Sequence, residues 1–219
     1  MKLNKVLALA LSGVMAVSML AGCSNNSGNG DQNGEGEGEQ TPATIQIAAD
    51  VNDMLSEDNQ KKITFADSGE LQNQLATAIA LNGIVSLPDA NNAVQASMED
   101  LTGLKGQTAF DNLKKLDGKS YETVLVRTSN SNVKQKVAVE YFVENQLDKW
   151  LDQLPYAANG SSTLNSAKDV EDLAEGTVYT QYAYTGNVAV VEVTNVAGTS
   201  SQYYFAVTIA RTATAAIAD

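Results

Sequence analysis

The sequence predicts an α+β domain, and three observations carry that prediction. Apolar residues recur at helical spacing through most of residues 45–118. One long amphipathic stretch then runs from about Val133 to Leu154. Finally, the segments Thr177–Tyr184, Val188–Asn195 and Gln202–Arg211 alternate and are rich in β-branched and aromatic residues. Ahead of these elements, residues 24–44 read SNNSGNGDQNGEGEGEQTPAT, a composition that buries almost no apolar area and predicts a flexible tether. The chain therefore divides into a leader (1–22), a tether (23–44), an α+β ectodomain (45–211) with a possible sub-boundary near 118, and a tail (212–219) expected to fray.

Taken in order, Ile47, Val51, Met54 and Leu55 predict a helix to about Glu57. The run DVNDMLSEDN crowds Asp50, Asn52 and Asp53 together as a calcium loop does. It lacks the glycine at the sixth position and has Lys61 where the twelfth needs a carboxylate, so it reads as polar helix surface. Lys62–Ala66 has strand character, and Asp67 with Glu70 three residues on predicts a capping box. Leu71, Leu75 and Ile79 form the stripe of the helix that follows, which Asn82-Gly83 ends. Ile84–Leu87 suggests a short strand, and Pro88-Asp89 the start of a helix bearing Val94, Met98 and Leu101. A further short helix with Phe110, Leu113 and Leu116 stops at Asp117-Gly118.

The second half is clearer. Tyr121–Arg127 is a strand by alternation, and Thr128–Ser131 offers helix caps. The long helix has the stripe Val139, Val143, Leu147, Trp150, Leu151 and Leu154, and Pro155 ends it. A polar loop (157–166) and an acidic turn or short helix (169–175) precede the last strands. Gly186-Asn187 signals a tight hairpin, so the three strands read as an antiparallel meander. A helix laid across such a sheet is similar to the cystatin-like or NTF2-like order of elements.

Composition excludes several classes of function. The chain has 26 acidic and 14 basic residues, a net charge of −12, which disfavours nucleic acid and anionic lipid head groups as partners. It contains no histidine, which removes Ser-His and Cys-His nucleophiles and histidine-ligated zinc; no cofactor is expected. Hydrophobic residues make up 43%, enough for a core without disulfides, and a single cysteine precludes an internal one.

That cysteine closes the leader. Lys2 and Lys5 precede an apolar run from Val6 to Leu20, too short for a membrane span, and Leu20-Ala21-Gly22-Cys23 follows. The leader resembles a bacterial lipoprotein signal with its lipobox. That resemblance implies a diacylglyceryl thioether on Cys23, cleavage just before it, and an envelope protein held at the membrane by lipid; the lack of a further cysteine for a disulfide suits a Gram-positive surface better than an oxidising periplasm. Removing the two leader lysines takes the charge from −12 to −14. The 121–195 stretch is also faintly similar to uncharacterised small clostridial lipoproteins, a resemblance that implies no activity.

The candidate chemistry is sparse. Ser131–Lys134 matches the Ser-x-x-Lys of penicillin-interacting enzymes but lacks the companion motifs. The acid pairs Glu140/Glu144, Asp169/Asp172 and Glu171/Glu175 each sit on one helical face, not across a cleft. Tyrosines crowd the last strands, and Tyr182, Tyr184 and Tyr204 are the expected binding face, able to stack on sugar or peptide. The expected function is a non-catalytic, lipid-anchored binding module for cell-wall glycan or an envelope protein. A carboxylate-dependent envelope hydrolase and a small solute-binding lipoprotein are the alternatives.

Overall fold

A computed structural model describes residues 45–83, 90–104, 110–194 and 198–219. In chain order these form α1 (Ala48–Met54), α2 (Glu57–Lys62), β1 (Phe65–Asp67), α3 (Gly69–Leu81) and α4 (Ala90–Leu101). A 3-10 turn at Phe110–Asn112 leads to β2 (Tyr121–Thr128) and α5 (Gln135–Phe142). A π-helical turn, Val143–Leu147, joins α5 to α6 (Asp148–Leu151). Then come β3 (Ala157–Asn159), β4 (Ser162–Leu164), α7 (Ala167–Glu171), β5 (Val178–Thr194) and β6 (Ser201–Ile217). The fold is α+β. The leader, Cys23, the tether and the suggested strand at Ile84–Leu87 lie outside the described residues.

All six strands belong to one sheet in the order β2-β6-β5-β3-β4, with β1 lying beside β5 as the one parallel strand. Its spine is the antiparallel pairing of β5 with β6, seventeen residues on each side from Val178↔Ile217 to Thr194↔Ser201. Because side chains alternate, each long strand feeds two cores. One face carries Tyr182, Tyr184, Val188, Val190, Tyr203, Phe205, Val207 and Ile209 against α1, α5 and α6. The opposite face carries Ala189, Val191, Tyr204, Ala206, Val124 and Val126 against α3 and α4. Helices thus cover both faces over the central part of the sheet, and both cores are drawn from residues 45–219.

Two expectations about the last strands are overturned. No hairpin forms at Gly186-Asn187, because β5 runs through both residues. Gly186 is needed for a close approach instead: a Cβ there would collide with the Phe65 ring of β1. The meander is therefore two long strands rather than three short ones. The tail does not fray either. Residues 212–217 continue β6, paired with 178–183, and the Ala218 N–H closes the end on the Thr177 carbonyl at 2.9 Å.

Other elements differ in detail. Ser68, not Asp67, caps α3, its Oγ accepting from the Leu71 N–H at 3.1 Å. Asp67 ends β1 and caps α1, its Oδ1 accepting from the Ile47 and Ala48 N–H groups. The expected 110–116 helix is a single 3-10 turn. The polar loop at 157–166 contains the β3–β4 hairpin, turning at Gly160 with φ 59°. The acidic segment becomes α7, where Ser166 and Asp169 form a reciprocal capping box.

The long helix contains a π-helical turn in its middle, for a reason visible in its stripe. Val139, Val143, Leu147 and Leu151, all buried, recur every four residues, whereas an α-helix turns every 3.6. A wider turn at 143–147 keeps that stripe on the sheet. There the Phe142 ring stacks on Phe205, centroids 4.6 Å apart and planes 2° from parallel, and meets Trp150 edge-on at 6.4 Å.

Gly186→Ala tests the β1–β5 contact. Overpacking a closed core costs about 1–3 kcal/mol, and the expected loss lies in that range, read by denaturant titration. Unchanged stability would mean that Phe65 can move aside at little cost.

Candidate polar cleft on the sheet

The structure removes the tyrosine face. Tyr182, Tyr184 and Tyr204 are 4%, 6% and 1% exposed. Tyr182 and Tyr184 share a face with Tyr203 and Phe205 beneath the helices, and Tyr204 lies on the opposite face under α3 and α4. With both faces covered, neither can present a stacking platform. The Tyr182 hydroxyl donates to the Asp117 carbonyl at 3.1 Å, and that of Tyr184 to the Pro155 carbonyl at 2.8 Å. Burial pushes the pKa of all three phenols up, so they stay neutral.

Tyr182 instead helps to bury a cation. Arg211 is 1% exposed, its guanidinium 4.3 Å from the Tyr182 ring centroid and 4.9 Å from that of Tyr121. Nη1 donates to the Leu113 and Lys115 carbonyls, and Nη2 to the Lys119 carbonyl and, at 3.1 Å, to Asp117 Oδ1. The guanidinium thereby fastens the 113–119 segment to the sheet. Burial of Asp117 acts to raise its pKa. The hydrogen bond from the Tyr121 hydroxyl, the Lys119 N–H and the Arg211 charge together outweigh that and hold it low. This is a structural clamp: both Nη groups are spent on the protein itself, and the buried Nε has no hydrogen-bond partner.

The remaining motifs resolve in the same way. Asp169 Oδ2 accepts from the Asn165 and Ser166 N–H groups as part of a cap. Glu140 and Glu144 are both exposed on the long helix. Ser131 is exposed in a turn, where Asn132 (φ 59°) exchanges hydrogen bonds with Ser201. In the calcium-like run, the Asn52 carboxamide pairs with both backbone groups of Phe65, and Asn59 Nδ2 donates to Asp148 and Asp152. Among the described residues, no three His, Cys, Asp or Glu side chains gather as a metal site. No described helix is long and apolar enough to cross a membrane.

What the strands do leave open is a cleft of about 170 Å³ on the α3–α4 face. Its floor is a polar row crossing three strands: Asn187 of β5, Thr208 of β6 directly opposite, and Glu122 two positions along β2 from Thr208's partner Val124. Asn187 Nδ2 donates to Thr208 Oγ1 at 3.2 Å. One wall is the N-terminal half of α3, with Ser68, Glu70, Leu71 and Gln74; the other is Thr102 and Leu104, just after α4. The cleft lies where each strand changes character. Along this face β5 reads Asn187, Ala189, Val191, and β2 reads Glu122, Val124, Val126. The helices cover the apolar positions and stop short of the polar ones.

Chemically the cleft offers two carboxylates from different elements, two carboxamides and several hydroxyls, over a small apolar patch of Leu71 and Leu104. Glu70 stands in the first turn of α3. No lysine or arginine stands among the described lining residues, so the site suits hydroxyl and ammonium donors rather than anions. No local motif in the sequence marks it. Its residues are spread from 68 to 208, and only the apolar-to-polar switch along the strands hints at it. No protein-family model, curated protein or solved structure matches this chain.

Proposed function

We propose that this chain is a lipid-anchored cell-surface protein whose ectodomain is a non-catalytic binding module, with the cleft between Glu70 and Glu122 as its ligand site. The observation that carries the reading is the cleft itself, an open polar floor at the margin of the helix-covered part of the sheet. The lipobox-like leader and the Gly-, Asn- and Glu-rich tether support placement at the outer face of the membrane. Together they favour a hydroxyl-rich ligand close to the membrane, and cell-wall glycan fits that description. Sugar hydroxyls would donate to the two carboxylates, and the carboxamides would serve as both donors and acceptors.

The test sediments soluble Ile45–Asp219 with purified sacculi and assays the supernatant for released muropeptides. The expected result is binding without release. Hydrogen bonds to charged groups are worth about 1.5–3 kcal/mol each, so Glu70→Gln with Glu122→Gln should weaken binding at least about tenfold. Absence of binding, or binding indifferent to both substitutions, overturns the reading. Release of fragments that the double variant abolishes would favour the carboxylate hydrolase, since Glu70 and Glu122 are two acids from separate elements lining one cleft. For the anchor, Cys23→Ser is expected to abolish lipid labelling and move the protein from the membrane fraction to the medium.

A further inference from the structure

We propose that the outer edge of the β6 tail, residues 213–217, is a self-association surface through which two copies of this chain pair antiparallel. β6 outruns its neighbour: β2 begins at Tyr121, opposite Arg211, while β6 continues to Ile217. The direction of the backbone groups is fixed at both ends of the strand. The Tyr203 carbonyl accepts from Ser129 on the β2 side, so odd-numbered residues of β6 face that way. Ala218 exchanges bonds with Thr177 and Gly176 on the β5 side, so even-numbered residues face the other. The N–H and C=O groups of Ala213, Ala215 and Ile217 thus continue the row that β2 would have paired. The lead-in to β2 does not cover them, because the Lys119 N–H goes to Asp117 and its C=O to Arg211. No described strand lies beside this row.

Parts of the neighbouring edges are guarded in ways this one is not. On the outer edge of β2, the Gln95 side chain of α4 acts as a one-residue strand. Its Nε2 donates to the Val124 carbonyl and its Oε1 accepts from the Val126 N–H, both at 2.8 Å. On the outer edge of β5, β1 and β3 occupy 186–188 and 180–181. The β6 tail has none of the usual blocks. Residues 212–217, TATAAI, contain no charge and no proline. Next to the edge, Val178 and Ile217 face each other in register as an exposed apolar pair, 64% and 66% accessible.

These features favour a second copy as the occupant. An antiparallel strand edge is complementary to itself about a two-fold axis, the isologous arrangement that closes as a dimer. The chain carries a net charge of −12, so copies repel over most of their surfaces, but this uncharged edge meets its own copy without juxtaposing like charges. Pairing would satisfy the outward backbone groups and bring two Val178–Ile217 pairs onto the shared sheet.

Sedimentation equilibrium of Ile45–Asp219 from about 1 μM to about 1 mM, with amide hydrogen exchange at both ends of that range, tests the proposal. A monomer–dimer equilibrium is expected, with exchange at Ala213, Ala215 and Ile217 slowing as concentration rises while Thr212 and Thr214 are unchanged. Ala215→Pro removes an outward N–H without touching the β5 ladder, and Ala215→Lys sets a charge on the edge and leaves the backbone whole. Each should weaken dimerisation at least about tenfold with the melting transition retained. A monomer throughout the range, a dimer indifferent to Ala215→Lys, or concentration-dependent protection elsewhere instead overturns the proposal.

Discussion

Replacing Arg211 with alanine is expected to destabilise the domain by about 3 kcal/mol, with loss of order in the 113–119 segment. Breaking a buried ion pair by removing one partner costs about 3–5 kcal/mol. The lower end applies because Asp117 is 36% exposed and regains hydration, while the Leu113, Lys115 and Lys119 carbonyls lose their donor and two tyrosine rings lose what they enclose. Arg211→Lys should recover little, since one ammonium cannot replace a planar fork reaching four acceptors. Denaturant titration of both variants checks this, and full stability in Arg211→Ala would show the clamp to be redundant. A pH dependence accompanies it. Asp117 has its pKa below the ordinary value of 3.8, so its contribution is present above that value and disappears as pH falls through the lower folded value. The stability difference between the native protein and Asp117→Asn should therefore narrow on acidification below about 3.8.

Phe205→Ala should cost about 3–5 kcal/mol, the range for truncating a fully buried phenylalanine. Phe205 is 0% exposed on β6, and its ring carries the stacked contact with Phe142. Truncation opens a cavity between the sheet and the middle of the long helix. The widened turn at 143–147 is held in place by what its stripe packs against, so exchange protection there should fall more than in α3 on the far face. Equal losses on both faces would mean that the two cores unfold as one cooperative unit.

The predicted elements that formed were those whose signal is local. Tyr121–Thr128 alternates and is a strand, and Leu71, Leu75 and Ile79 recur at helical spacing and are buried on α3. The failures share a cause. Gly186-Asn187 carries the residues of a hairpin turn, yet it lies inside a strand because Phe65, 121 residues earlier in the chain, packs on the glycine. Tyr182, Tyr184 and Tyr204 were expected at a surface because strand alternation assigns residues to faces but does not say whether a face is covered.

The sequence by itself determined the α+β class, the order of most elements, and the β-branched and aromatic alternation of the last strands. Those properties depend on neighbours within a few positions along the chain, and local periodicity records them. Only the tertiary structure decided that helices roof both faces, that Arg211 is buried between tyrosines, and that Glu70 and Glu122 line one cleft. Each of these depends on groups dozens of residues apart meeting across strand register and helix docking, and one sequence carries no local trace of such meetings.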